Sequence, residues 1–114
     1  MSEKIDINDC VFCGIINKTI QANIRYEDNE VIVFDNQLTW VPIMLLAVTK
    51  KHMTQQQMWS GGWITLIGAI ASQIGSELCP NGFRLLSNFG YDSMQSQEHA
   101  HLHIVGGEQL SRYT

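Results

Sequence analysis

His99-Ala100-His101-Leu102-His103-Ile104-Val105 is the stretch that decides how this 114-residue chain is read. Three of the four histidines fall within five residues, separated by small or apolar ones. Side chains on a β-strand alternate between faces, so this spacing lines the three imidazoles along one face. Ala100, Leu102 and Ile104 then turn toward a core. The plain readings are a metal-binding stripe or histidines satisfied by hydrogen bonds. The chemical reading starts from neutral imidazole, a good nucleophile at phosphorus that titrates near neutrality. A second imidazole two residues away can donate to a phosphoryl oxygen or fix a tautomer. A backbone carbonyl can hold the proton on the nitrogen that does not attack. Strict alternation behind a polar loop favours the chemical reading.

Working outward, Glu98 to Val105 reads as the last strand, closed by Gly106-Gly107 and preceded by a polar, glycine-containing loop from Asn88 to Gln97. Phe83 to Asn88 reads as another strand, entered through the turn residues Pro80-Asn81-Gly82. Trp63 to Leu78 carries apolar residues at 63, 67, 70, 74 and 78, one face of an amphipathic helix that Ser60-Gly61-Gly62 can start. Ile43 to Thr49 is a continuous apolar run, suited to a strand covered on both faces. It follows Pro42 and ends at Lys50-Lys51-His52. Val31 to Phe34 is β-branched and aromatic, a second good strand. Ala22 to Glu27 reads as a short strand, turned by Glu27-Asp28-Asn29-Glu30. Cys10 to Thr19 has apolar residues at 11, 12, 15 and 16 and reads as a short first helix. The expectation is a single α+β domain over residues 1–114, with a mostly antiparallel sheet, one main helix and a short N-terminal helix.

Hydrophobic residues make up 45% of the chain and charged ones 16%, which supports a modest core of the kind often helped by a metal or partner subunit. The formal net charge of −4 and a pI near 5.4 argue against a nucleic-acid backbone binder. A single nucleotide needs only one local anion site, so it stays open. No apolar run approaches the roughly 18 residues of a membrane span. The first nine residues, Met-Ser-Glu-Lys-Ile-Asp-Ile-Asn-Asp, lack the basic start and apolar stretch of a signal peptide, so a cytoplasmic location is expected. Three cysteines do not make a disulfide framework there. Cys10-x-x-Cys13 alone is a redox pair, half a zinc site, or chance. A thioredoxin-type motif needs a preceding strand, for which there are too few residues. A tetrahedral zinc site needs two more ligands, and His52 and a strand histidine are available. Cys79, beside Pro80, reads as an ordinary small residue.

Together these residues resemble the histidine-triad (HIT) superfamily, whose motif is His-φ-His-φ-His-φ-φ. Here it reads His99-Ala-His101-Leu-His103-Ile-Val, followed by Gly106-Gly107 as in the Hint-like branch. The resemblance also covers Val11-Phe12-Cys13-Gly14-Ile15-Ile16, the Lys50-Lys51-His52 strand end and the stretch from Asn88 to Gly107. It implies that His101 is the nucleophile, forming a covalent nucleotidyl-histidine, and that His103 contacts the phosphate. Ser96 matches a serine that helps the leaving group depart, with Gln95 beside it. Asn88 matches a phosphate-side polar residue, and Asn36 falls where the family places an Asp or Asn on the ribose hydroxyls. Val11, Phe12, Ile15 and Phe34 match the apolar pocket for the base. Many bacterial members carry a structural zinc, which implies Cys10, Cys13, His52 and His99 as its ligands here. His99 thereby takes a structural part within the catalytic triad.

Three departures from the pattern stand out. Met44 replaces a usual histidine that backs up the triad, and a thioether cannot donate a hydrogen bond. Thr49 replaces a usual proline, and Glu98 a more apolar residue. The resemblance implies a nucleoside phosphoramidase or nucleotidyl hydrolase, with a purine nucleotide or nucleoside phosphoramidate as substrate. It also implies a homodimer joined sheet edge to edge, with no nucleic-acid or membrane partner. The alternative is a zinc-stabilised nucleotide sensor with weak catalysis.

Overall fold

The computed structural model describes residues 10–112, so the N-terminal segment read above for a signal peptide lies outside the described residues. In chain order it comprises α1 (Val11–Ile16), β1 (Ile24–Glu27), β2 (Val31–Asp35), β3 (Ile43–Thr49), α2 (Gln55–Ser60), α3 (Trp63–Leu78), β4 (Phe83–Leu86) and β5 (His101–Gly106). The five strands form one sheet in the order β1-β2-β3-β5-β4, and every pairing is antiparallel. β3 is the central strand, flanked by β2 and β5, with Val48 opposite His101 and Leu46 opposite His103.

Each face of the sheet buries its own cluster. Val31, Val33, Leu45, Ala47, Leu102 and Ile104 face Met58 of α2 and Ile67 and Ala71 of α3. Ile32, Phe34, Leu46 and Val48 face Phe12, Cys13 and Ile15 of α1. β3 is therefore covered on both sides, as its unbroken apolar run requires. The histidine strand shares the α1 side, because cross-strand partners in a pleated pair point the same way. Asp28 makes the β1–β2 turn, its Oδ1 accepting the N–H groups of Glu30 (2.7 Å) and Val31 (2.8 Å).

Three boundaries differ from the sequence reading. The last strand begins at His101 rather than Glu98, because the Ala100 N–H donates to the Met53 carbonyl (2.8 Å) and the His99 ring enters a cysteine cluster. β4 stops at Leu86, two residues short of Asn88. A second helix, α2, precedes the glycine pair. Thr54 and Gln57 form a reciprocal capping box at its start, and Gly62 at φ 87° turns the chain into α3. Among the described residues no helix is long and apolar enough to cross a membrane.

Candidate active site and metal site

Cys10 caps α1, its Sγ accepting the Cys13 N–H at 3.4 Å, which sets both sulfurs at the first turn of the helix. His52 follows the end of β3 and His99 lies two residues before the start of β5. The ligand atoms of Cys10, Cys13, His52 and His99 all lie within 4.8 Å of one another. His99 Nδ1 is 3.4 Å from Cys10 Sγ and 3.5 Å from Cys13 Sγ, and His52 Nδ1 is 3.2 Å from Cys13 Sγ. The edge of a zinc tetrahedron between sulfur and nitrogen is about 3.5 Å for ordinary bond lengths. Two thiolates and two imidazoles in a buried, four-donor set are the ligands of a closed structural zinc site, and these residues fit the ion. The His99 Nε2–H donates to the Thr49 carbonyl at 2.5 Å, which leaves Nδ1 as the lone pair facing the sulfurs. Proline would present the same carbonyl, so the threonine costs this contact nothing. Burial pushes the Cys13 thiol up to about 11, reinforced by its contact with Cys10. A bound cation is what makes thiolate favourable in such surroundings. Burial likewise holds His99 at about 4, against the pull of the Thr49 carbonyl.

His101 is 3% exposed, and its Nδ1–H donates to the backbone carbonyl of His99 at 2.7 Å. This bond fixes the proton on Nδ1 and leaves the lone pair on Nε2. The Phe12 ring meets the His101 ring edge-on at 5.3 Å and the His99 ring at 5.9 Å, so it packs against both. Burial lowers the His101 pKa, opposed by the His99 carbonyl, and so favours the neutral ring. His103 stands beside it, ring centroids 5.1 Å apart, and is held at about 4 by burial and by the neighbouring His101. The three histidines thus divide: the His99 ring belongs to the cysteines, while His101 and His103 form a neutral pair.

The remaining candidate residues lie on α1, β2 and the loops after β2 and β4. Phe12, Ile15 and Phe34 pack in one buried cluster, while Val11 is 39% exposed at the start of α1. Asn36 closes a turn after β2, its Oδ1 accepting the Leu38 N–H at 3.0 Å. Gln95 braces its own loop, accepting from the Gly90 N–H (2.7 Å) and donating to the Gln97 carbonyl (3.0 Å). Ser96 and Glu98 are exposed, and Cys79 is buried. Met44 lies on the histidine side of β3, opposite Val105, and its Sδ accepts the Trp40 N–H at 3.1 Å. One buried polar residue is new to the site. Gln55 of α2 is 2% exposed, and its Oε1 accepts the His101 N–H at 3.0 Å. In the sequence it is one of three successive glutamines, and only the capping box beginning at Thr54 marked a helix there.

The family profile described as scavenger mRNA decapping enzyme C-term binding matches residues 9–113. Protein HitA of Neisseria gonorrhoeae is 31% identical over 107 residues, covering 88% of this chain and 97% of that protein. A histidine triad protein from Clostridium difficile superposes with a TM-score of 0.87 at 30% identity, over 96% of this chain and 100% of that one. A HIT family hydrolase from Clostridium thermocellum gives a TM-score of 0.84 at 28% identity, over 94% and 97%. Sequence profile, fold and the placing of the histidines agree: the chain belongs to the histidine-triad (HIT) superfamily.

Proposed function

We propose that this protein is a nucleotide hydrolase of the phosphoramidase type, acting at the α-phosphate of a purine nucleotide through His101. The observation that carries this reading is the His101 tautomer. With Nδ1–H given to the His99 carbonyl, the unprotonated Nε2 is the nitrogen left for attack. Nε2 forms a bond to phosphorus while the bond from phosphorus to the leaving amine breaks, and the amine nitrogen takes up a proton. Ser96 or His103 passes that proton. Water then displaces His101 from phosphorus, releasing the nucleoside monophosphate and the free imidazole. Asn36 holds the ribose, Val11, Phe12, Ile15 and Phe34 hold the base, and Asn88, Gln95, Ser96 and His103 surround the phosphate. Zinc on Cys10, Cys13, His52 and His99 supplies structure, fixing the His99 backbone that orients the nucleophile. The related hydrolase from Clostridium thermocellum supports the reaction class.

The working unit in this reading is a homodimer in the cytoplasm, and β4, an edge strand with Leu86 exposed, offers a free edge for sheet pairing. One observation favours a second reading, a zinc-stabilised nucleotide sensor. The Met44 thioether accepts from Trp40 and has no proton to offer the triad. Hydrolysis of adenosine 5′-phosphoramidate by the wild type and by His101→Ala decides between them. Wild-type turnover that falls about a thousandfold or more in the variant supports the hydrolase. Absence of turnover in both, with AMP still bound, supports the sensor.

A further inference from the structure

Strands β4 and β5 run in register as far as Leu86 opposite His103. Continued by two residues, that register sets Asn88 opposite His101. The ladder ends before this pair, and the Gln55 carboxamide stands in its place. Its Oε1 accepts the His101 N–H at 3.0 Å, and its Nε2 donates to the Asn88 carbonyl at 3.1 Å. The partners dictate which way round the carboxamide sits, because a backbone N–H only donates and a carbonyl only accepts. Both ends of a nearly inaccessible polar group are thereby satisfied, and an isolated buried carboxamide would be costly. Two hydrogen bonds in series take the place of one strand-to-strand bond, and the chains stand apart by the width of an amide. The same helix grips the departing chain again one turn on. Trp59 Nε1 donates to Ser87 Oγ at 3.0 Å, and the Trp59 ring lies 6.4 Å from that of Phe89.

We propose that Gln55 is a positioning residue: its carboxamide wedges β4 from β5 and sets the gap between His101 and the phosphate-side loop that begins at Asn88. The α-phosphate is then received beside this bridged gap, on the imidazole face of β5, which rests on the assignment of His101 as nucleophile and Asn88 as a phosphate-side residue. The nucleophile is then fixed twice, its backbone by Gln55 and its ring by the His99 carbonyl.

Two variants of the full, zinc-loaded chain separate the wedge from mere packing. Gln55→Met keeps the length of the side chain and loses both hydrogen bonds. Gln55→Glu keeps the acceptor for His101 and loses the donor to Asn88. For Gln55→Glu we expect KM for adenosine 5′-phosphoramidate and Kd for AMP to rise about tenfold, with kcat changed by less than about threefold. For Gln55→Met we expect kcat to fall about tenfold as well, with faster hydrogen exchange at the His101 amide than in Gln55→Glu. Wild-type kcat and KM in a folded Gln55→Met overturn the proposal. So does an equal loss in both variants that follows Tm alone. Should Gln55→Met fail to fold, the split between KM and kcat in Gln55→Glu decides, and a fall in kcat without a rise in KM overturns the wedge. If the wild type itself shows no turnover, the hydrolase reading fails separately. AMP affinity and exchange at His101 then judge the wedge, and values in Gln55→Met equal to the wild type overturn it.

Discussion

The carbonyl of His99 accepts the Nδ1–H of His101 at 2.7 Å, while the ring of the same His99 lies within 3.5 Å of two cysteine sulfurs. One residue therefore links the metal-type cluster, through its side chain, to His101, through its backbone. Loss of the ion should be felt in both stability and rate. Cys13→Ser is expected to abolish zinc retention, lower Tm by about 10 °C or more and reduce kcat about tenfold. Metal analysis, calorimetry and kinetics on one preparation check this. A zinc-free variant with unchanged kcat would separate the two sites.

Stability should fall on the acid side of neutrality, and the sign follows from His103. Burial holds its pKa at about 4, below the 6.5 of an ordinary imidazole, with repulsion from His101 as the second cause. Between those values the unfolded chain binds a proton that the native chain refuses. Stability is therefore lost as pH drops through that window, and this contribution levels off below about 4. His101, lowered by the same burial, adds in the same direction. Urea denaturation of zinc-loaded protein at about pH 7.5 and about pH 5 should show a smaller acid loss in His103→Gln than in the wild type. Equal losses would remove His103 from the account.

Met44→His tests the most conspicuous departure of this chain from its family pattern. A neutral imidazole can accept the Trp40 N–H at one nitrogen and donate from the other, a proton the thioether lacks. We expect kcat to rise by up to about tenfold, with a stability change of less than about 1.5 kcal/mol at this half-buried position. Single-turnover hydrolysis is the measurement, and an unchanged rate would show that the triad needs no help from β3.

Two glycines of α3 should respond to alanine with opposite signs. A Cβ at Gly75 would strike the Phe83 ring, whereas a Cβ at Gly68 meets nothing within 4 Å. Gly75→Ala is expected to cost about 1–3 kcal/mol as α3 is pushed off β4. Gly68→Ala should stabilise by about 0.5–1 kcal/mol, because helix-interior glycine loses more backbone freedom on folding than alanine. Thermal unfolding of the pair reads both signs at once. A stable Gly75→Ala would mean the Phe83 ring swings aside.

Strong periodicity in the sequence translated directly into structure. Ile43–Thr49 is β3 to the residue, and Trp63–Leu78 is α3. α2 went unread because Gln55–Ser60 presents one buried apolar residue, Met58, which leaves no period to stand beside the capping box at Thr54. The following Gly61-Gly62 resembled a helix start when it is a joint between two helices. The histidine alternation was legible, yet its first member left the strand because the cysteines and Thr49 compete for the His99 ring. A backbone carbonyl as the tautomer-fixing partner follows from chemistry alone, but its identity needed the fold. Gln55 was hidden because a lone glutamine among glutamines carries no pattern, and its meaning comes from a ladder interrupted thirty-odd residues away.

The four zinc-type ligands are drawn from residues 10, 13, 52 and 99, so the first and last of them lie 89 positions apart. No chain that stops short of His99 holds the set. A ribosome-bound intermediate that has not reached His99 offers at most three donors, two of them at the start of an unanchored first helix. Closing so long a loop is also the slow, entropically expensive step of assembly. Tight metal capture is thus confined to chains in which α1 has met the His99 segment, and zinc content doubles as a tally of that closure. Where synthesis outruns zinc supply, the shortfall should accumulate as chains already extended past His99 rather than as stalled early ones.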